Sequence, residues 1–463
     1  MESSTRGYIS QSIDLSLTPP KTPELKTTKA VFHNWPEPET EPEVDRGEQG
    51  GSHSFGNDGI HGTQEPPFAL SVQEALLLHG PKQPYTHIIN QPIPQPENDR
   101  EMLVAIEAIG LNPIDWKAPD FGFGLPTLPC ISGRDLAGKV VKPARAASRF
   151  KVGDTVSNFT MNVRWRLISK VMGISTDYRD SRKSAYQQYA IVSDFNACKL
   201  PPHLSSKEAA PLGVAFIAAA LGLGICLGLN FESCNDNIRG PDIFRTVRCM
   251  SQDSLPQDIR SECFKSIREN ERIKSGDWIA IWGGSSATGC CAVQLAKLAG
   301  LKVIAIIDVA RSGERMLKHG ADLLVDRIDT DRAVSIVRNV TRGKLRFGLD
   351  TRGKESAGLL AQAMQVGDES GLRAHVVGLT GVPKIPTAGI AYHSVPIKLF
   401  HEAPRVGDEM MLWLETLLAQ KSIETPDIEV AEGGLRGINR ALDRLRNGSV
   451  NGPRIVVPLA QAA

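Results

Sequence analysis

The stretch Trp278-Ile279-Ala280-Ile281-Trp282-Gly283-Gly284-Ser285-Ser286-Ala287-Thr288-Gly289 decides how the chain is read. Its first five residues are apolar and have the length of a strand buried on both faces. A glycine turn follows, and Cys291 to Ala299 then carry apolar residues at helical spacing. Strand, tight turn and helix N-terminus in this order make an anion site, because free backbone N–H groups and the helix dipole converge on one spot. Against the spacing Gly-x-Gly-x-x-Gly, the three positions are Gly284, Ser286 and Gly289, so Ser286 departs from glycine where a pyrophosphate needs close backbone approach. The candidates for holding phosphate are therefore Gly283, Gly284, Ser285, Ser286, Ala287, Thr288 and Gly289.

Downstream, strand-like and helical runs alternate: Val303–Ile307, a charged helix Arg311–Lys318, Leu323–Val325, Phe347–Leu349 and Val376–Leu379. Such alternation predicts parallel strands joined by crossover helices, a doubly wound α/β sheet. The strand before the charged helix ends at Asp308, an acid placed to hydrogen-bond a ribose diol. Arg311 and Arg315 follow, placed to pair with a 2′-phosphate and to favour NADPH over NADH. The solvated face of a helix explains the same two arginines. Arg327 lies where it could cover an adenine or add positive charge. Leu379 and Thr380 close a strand at the end where a nicotinamide would lie.

Upstream, the texture differs. Ala75–Leu78, Met102–Ile109, Ala137–Val141, Thr155–Val156 and Tyr189–Val192 are short β-prone runs broken by Gly and Pro, which predicts a small antiparallel barrel or sandwich. The C-terminal Gly434–Leu459 reads as a helix, an Asn447-Gly448 turn and a last strand. Leu212–Phe231 is long and free of charge, and its four interior glycines favour a buried helix over a membrane span. Two segments, 158–174 and 234–274, read as inserts decorating loops. Residues 1–67 are rich in Pro, Glu, Ser, Thr and Gly, and predict a disordered extension in which only Ala30–Trp35 is apolar.

Composition sets the outer bounds. A chain of 463 residues, 41% hydrophobic and 23% charged, is globular and long enough for two or three domains. Lys and Arg number 53 against 52 Asp and Glu, a balance that argues against a nucleic-acid or anionic-membrane partner. The eight cysteines include no Cys-x-x-Cys pair. With no basic n-region and apolar run at the start, they read as reduced thiols of a cytoplasmic protein.

The residues Gly110-Leu111-Asn112-Pro113-Ile114-Asp115-Trp116-Lys117, Gly133-Arg134-Asp135-Leu136-Ala137-Gly138, Phe150-Lys151-Val152-Gly153-Asp154-Thr155-Val156, the turn 283–289 and Gly348-Leu349-Asp350-Thr351 carry a resemblance. They resemble the medium-chain dehydrogenase/reductase superfamily from about residue 68 onward, and within it the fungal trans-acting enoyl reductases and toxin-cluster oxidoreductases. The resemblance implies a GroES-like β domain over 68–200, completed by 401–463, and a Rossmann NADPH-binding domain over 201–400 that contains the insert 234–274. It also implies that Ile114, Asp115, Trp116 and Lys117 face the cofactor across a cleft, with Lys117 near the nicotinamide ribose or the substrate. Zinc members of the superfamily place Cys where Asn112 stands and Gly-His-Glu at 133–135. Arg offers no lone pair and Asn is a poor zinc ligand, so no metal is expected.

The function so implied is transfer of hydride from NADPH to an activated C=C of an enoyl or enone, free or carrier-bound, with a polyketide synthase as partner. Lys117 is the candidate donor to the substrate oxygen and Tyr178 a candidate proton donor. Two alternatives stand beside it: a quinone-type oxidoreductase, and a catalytically weakened cofactor-binding or scaffold protein of the same fold. Ala218, where relatives often carry a Thr hydroxyl, and Ser286 favour the second.

Overall fold

Six parallel strands build one sheet, in the order Leu323–Asp326, Lys302–Ile307, Trp278–Trp282, Phe347–Asp350, Ala374–Gly378, Ile390–His393. This computed structural model describes residues 71–460 except 145–147, 151–153, 156–165, 168–169, 367–370 and 451. The extension 1–67, with Ala30–Trp35, lies outside the described residues, as do 158–165 and 168–169 of the first insert. The strands are almost continuous Val, Ile, Leu and Ala, because both sheet faces are covered and each residue needs an apolar partner. Chain order reverses beside Trp278–Trp282: the next two strands add on one side, the following three on the other. That reversal opens a crevice at the carboxyl ends.

The second sheet system is mainly antiparallel. Glu101–Gly110 is its hub, pairing with Asp135–Lys142, with Tyr189–Ser193 and with the C-terminal Arg454–Pro458. A three-stranded sheet, Thr86–Pro92, Val72–Leu78 and Cys130–Ile131, closes one side. Together they enclose a core that includes Leu76, Met102, Ile109, Leu136, Phe150 and Tyr186. The chain leaves this lobe after Ala197–Lys199 and re-enters at Ile428–Val430, which pairs parallel to Arg454–Pro458.

Three sequence expectations need correction. Lys170–Ile174, read as part of an insert, is a strand between Asp135–Lys142 and Ala197–Lys199, and its last four residues are buried. The helix Pro404–Ala419, assigned by resemblance to the returning segment, packs Val406, Met410, Met411, Trp413, Leu414 and Leu417 into the core of the parallel-sheet lobe. The segment 234–274 is no loop decoration. Its helices Ile243–Arg248 and Gln257–Lys265 bury Ile243, Phe244, Val247, Ile259, Cys263 and Phe264 in that same core.

The uncharged run proves to be an interior element. The helical stretch Ser206–Cys226 is long and apolar enough to cross a membrane, and 94% of its most apolar window is buried inside the protein. In Gly213–Leu221 only Val214 and Ala218, four residues apart on one face, are half-exposed.

Candidate functional site

The glycine turn is held by hydrogen bonds that explain its serine. Ser286 is the N-cap of the helix Ala287–Leu298, and its Oγ accepts the Gly289 N–H at 3.0 Å. The same hydroxyl donates to Thr351 Oγ1 at 3.0 Å, and Thr351 in turn donates to the Gly283 carbonyl. Gly283 has φ +77°, in the left-handed region that favours glycine. A Cβ on Gly289 would sit 2.5 Å from the Gly283 carbonyl oxygen, so the helix and turn touch with no side chain between them. Ser286 therefore replaces the middle glycine without opening the turn. The cap uses one N–H of the first helical turn, and Ala287 and Thr288 N–H have no partner four residues back.

Beside the turn, at the carboxyl ends of the strands, lies a groove of about 520 Å³ lined by Trp282, Arg327, Arg352, Gly353, Lys354 and Thr380, among others. Trp282 and Arg352 join it to the turn, since the Arg352 stem lies 2.9 Å from where a Gly283 Cβ would be. Arg327 and Thr380, singled out from sequence, do line it. Arg311 and Arg315 do not line it. Arg315 pairs with Asp427 at 2.8 Å and donates to the Ser285 carbonyl at 3.1 Å, so it braces the turn from behind. Arg311 points to solvent, and its N–H is capped by Asp308, whose carboxylate also lies 3.9 Å from Arg327. Leu379 is half-buried and packs against the main core, its N–H donating to the Asp350 carbonyl. Arg352 and Lys354 were missed. The Gly348–Thr351 stretch stood out in the sequence, but nothing in its spacing said that Arg352 packs on the glycine turn or that Lys354 lines the groove beside it.

The β lobe meets this lobe through a buried polar knot at the positions where zinc relatives carry ligands. Asn112 Nδ2 donates to Asp135 Oδ2 at 2.9 Å, and Arg454 donates to Asn112 Oδ1 at 2.7 Å. The other Asp135 oxygen accepts Val214 N–H at 2.8 Å. Burial pushes the Asp135 carboxyl up to about 7 against these partners. Each side chain is thus committed to a protein partner, and no group of three or more metal-ligating residues occurs among the described residues.

Of the Ile114–Lys117 stretch, the structure brings little to the groove. Asp115 turns into the β lobe, where its carboxylate accepts Asn112 N–H at 2.8 Å and burial raises its pKa. Trp116 faces the helix Gly434–Arg446 and lines a second groove of about 570 Å³ with Phe121, Leu442 and Arg446. Both are corrected as cofactor contacts, because helix periodicity turns adjacent residues to different faces. Lys117 is half-buried with its ammonium 5.6 Å from the Trp116 ring. Ile114 and Tyr178 line a small pocket beside Arg134, whose guanidinium lies 3.9 Å from the centre of the Tyr178 ring.

Known proteins share this plan. Residues 98–202 match the alcohol dehydrogenase GroES-like domain family. A dehydrogenase of Aspergillus niger is 25% identical over 80% of this chain and 95% of its own length. A trans-enoyl reductase of Fusarium mangiferae is 27% identical over 81% of this chain and 96% of its own. The chain is similar, over about four fifths of its length, to proteins named dehydrogenases and trans-enoyl reductases. Solved structures agree on the fold. An alcohol dehydrogenase superfamily protein from Novosphingobium aromaticivorans superposes with a TM-score of 0.61 at 20% identity, covering 84% of this chain and all of the other. Escherichia coli quinone oxidoreductase, solved with NADPH, gives 0.58 at 16% identity over the same shares. These structures share the fold of this chain, a GroES-like β lobe joined to a doubly wound parallel sheet.

Proposed function

We propose that this chain is an oxidoreductase that uses NADPH to reduce the activated C=C of an enoyl or enone substrate. The observation that carries the cofactor is the groove itself: Arg327, Arg352 and Lys354 outnumber its one acid, Glu355, beside Trp282 at the crevice of a doubly wound sheet. A cradle whose Gly289 has no room for a Cβ fits a pyrophosphate, and three cations fit a 2′-phosphate. When bound, the reduced nicotinamide supplies the hydride. The chain's own part is to orient substrate, exclude water and stabilise the oxygen on which charge gathers. The naming of several relatives as trans-enoyl reductases supports an enoyl acceptor, presented on a carrier by a partner polyketide synthase. Eight free thiols, seven of them buried, support a reducing compartment such as the cytoplasm.

The test is a titration of NADPH and NADH followed by tryptophan fluorescence, because Trp282 forms a wall of the groove. A charge-assisted contact contributes about 1.5–3 kcal/mol, so NADPH should bind roughly tenfold or more tightly. Arg352→Ala and Arg327→Ala should each narrow that ratio, and Arg311→Ala should leave it unchanged. Equal affinity for the two nucleotides in the wild type overturns the assignment. Turnover of enones with NADPH, compared with benzoquinone as acceptor, decides between the enoyl and quinone readings.

A further inference from the structure

Arg134 stands in the β lobe on the turn between Cys130–Ile131 and Asp135–Lys142. It is half-buried, yet its guanidinium meets no carboxylate and donates no hydrogen bond among the described residues. Its guanidinium lies 3.9 Å from the centre of the Tyr178 ring, and the buried Asp115 carboxylate of the same pocket feels its charge without bonding it. A guanidinium has five N–H donors, and leaving them unmet in a partly desolvated place is costly unless something else arrives to accept them.

The surroundings say what could arrive. Arg134 and Tyr178 share a pocket of about 20 Å³ with Ser132, Ser184 and Asp115. That space holds one water-sized group, such as the oxygen of a carbonyl, and no ring. Asp115 in that pocket already meets Tyr186 and Asn112 N–H, so the N–H groups of Arg134 are the donors that remain for an incoming oxygen.

Position supplies the third argument. Both flanks of Arg134 are tied to the parallel-sheet lobe. On one side Asp135 accepts Val214 N–H from the helix with the half-exposed face. On the other, Ser175 N–H donates to the Arg134 carbonyl. Beyond it, Thr176 Oγ1 meets His401 Nδ1 at 2.7 Å, and Arg179 donates to Glu402 at 2.8 Å. Arg134 and Tyr178 therefore sit at the seam between the lobes.

We propose that Arg134 is the donor to the substrate carbonyl oxygen, with the Tyr178 ring holding its guanidinium plane in place. The proposal rests on the enoyl or enone reading and deepens it. As hydride reaches the β carbon, the C=C electron pair shifts toward the carbonyl, and the growing charge on oxygen is met by Arg134 N–H groups. The α carbon then takes its proton from water.

The experiment compares wild type with Arg134→Met, Arg134→Lys and Arg134→Ala, using a simple enone and NADPH. Charge on the oxygen develops in the transition state, so kcat should fall roughly 10²–10³-fold in Arg134→Met with KM and NADPH affinity little changed. Arg134→Lys should restore part of the rate, and millimolar guanidinium should restore part of it in Arg134→Ala. A purely structural arginine would lower the melting temperature and leave kcat and guanidinium rescue flat, which overturns the proposal. If the wild type reduces no enone, the functional reading has failed. Arg134 is then tested by binding of crotonate, an unreactive carboxylate probe, to the nucleotide complex. Binding at least tenfold weaker in Arg134→Met supports an oxygen-binding role. Equal binding, or none in the wild type, refutes it.

Discussion

Ser286 shows how a departure from a motif keeps the motif's geometry. Its hydroxyl closes a helix cap and reaches the neighbouring strand end through Thr351. Ser286→Ala should cost about 1 kcal/mol, the usual loss for an N-cap, and loosen nucleotide binding modestly. Gly289→Ala should cost more, about 1–3 kcal/mol, because the added methyl meets backbone of Gly283 and Gly284 rather than a movable side chain. Thermal unfolding with and without NADPH checks both, and a glycine variant as stable as wild type would show that the turn can shift. The turn was legible in the sequence because glycine and a capping serine leave chemical signatures at fixed offsets. The place of Arg315 was not legible, because whether an arginine on a helix faces a ligand or braces a loop depends on Asp427, more than a hundred residues away. The knot of Asn112, Asp135 and Arg454 was legible only by what it lacked, since no spacing links a residue near 112 to one at 454.

Among the elements, the segment 234–274 most changes how the chain is understood. It is polar along its length, so its composition hid the apolar side chains that enter the core. It also contributes two acids to a buried chain of polar groups. Glu262 accepts from His393 Nδ1 at 2.7 Å, His375 Nδ1 lies 3.0 Å from His393 Nε2, and His375 Nε2 faces Glu271, which is paired with Arg373 at 2.7 Å. Read as a donor chain ending on Glu262, this leaves His375 Nε2 as a bare lone pair, in keeping with its lack of a hydrogen-bond partner. Burial, followed by the charge of His393, pushes His375 down to about 3. The unfolded imidazole takes its proton near 6.5, so stability is lost as pH falls below 6.5 and continues to fall toward 3. Glu271, held down at about 2 by Arg373 despite burial, withdraws its contribution only below about 4.5. Between pH 7 and 5 the loss should be about 2 kcal/mol. Urea midpoints at the two pH values should show it in the wild type and much less of it in His375→Gln, which keeps a donor toward His393. Equal pH dependence in both would refute the assignment. Five of the parallel strands were legible because they are nearly unbroken apolar runs, whereas the edge strand Ile390–His393, with Tyr392 and His393, was not. Thr86–Pro92 and Ile428–Val430 were not, since each lies at a sheet edge, half-exposed and without alternation.

At the scale of the molecule, several polar ties join the lobes, and the one from Asp135 to Val214 N–H is backed by the buried cation Arg454. Its Nε is buried without a partner and its Nη2 holds Asn112, so removing the charge leaves Asp135 and Asn112 without their cation. Arg454→Met should destabilise the folded protein by about 3–5 kcal/mol, measured by denaturant unfolding; a loss under 1 kcal/mol would show that the knot is not structural. The strand that carries Arg454 has a further consequence for the birth of the protein. Val456 pairs with Gly110 and Val457 with Ile109, so a central rung of the β lobe waits for nearly 350 residues of intervening chain. At roughly 5–20 residues per second, ribosomes leave the first strands without that neighbour for tens of seconds. During this interval the parallel-sheet lobe, whose six strands are all encoded before residue 394, emerges complete. The late C-terminal tail must then find an open slot against Glu101–Gly110, and until it does, that strand's edge is exposed to every other nascent chain in reach.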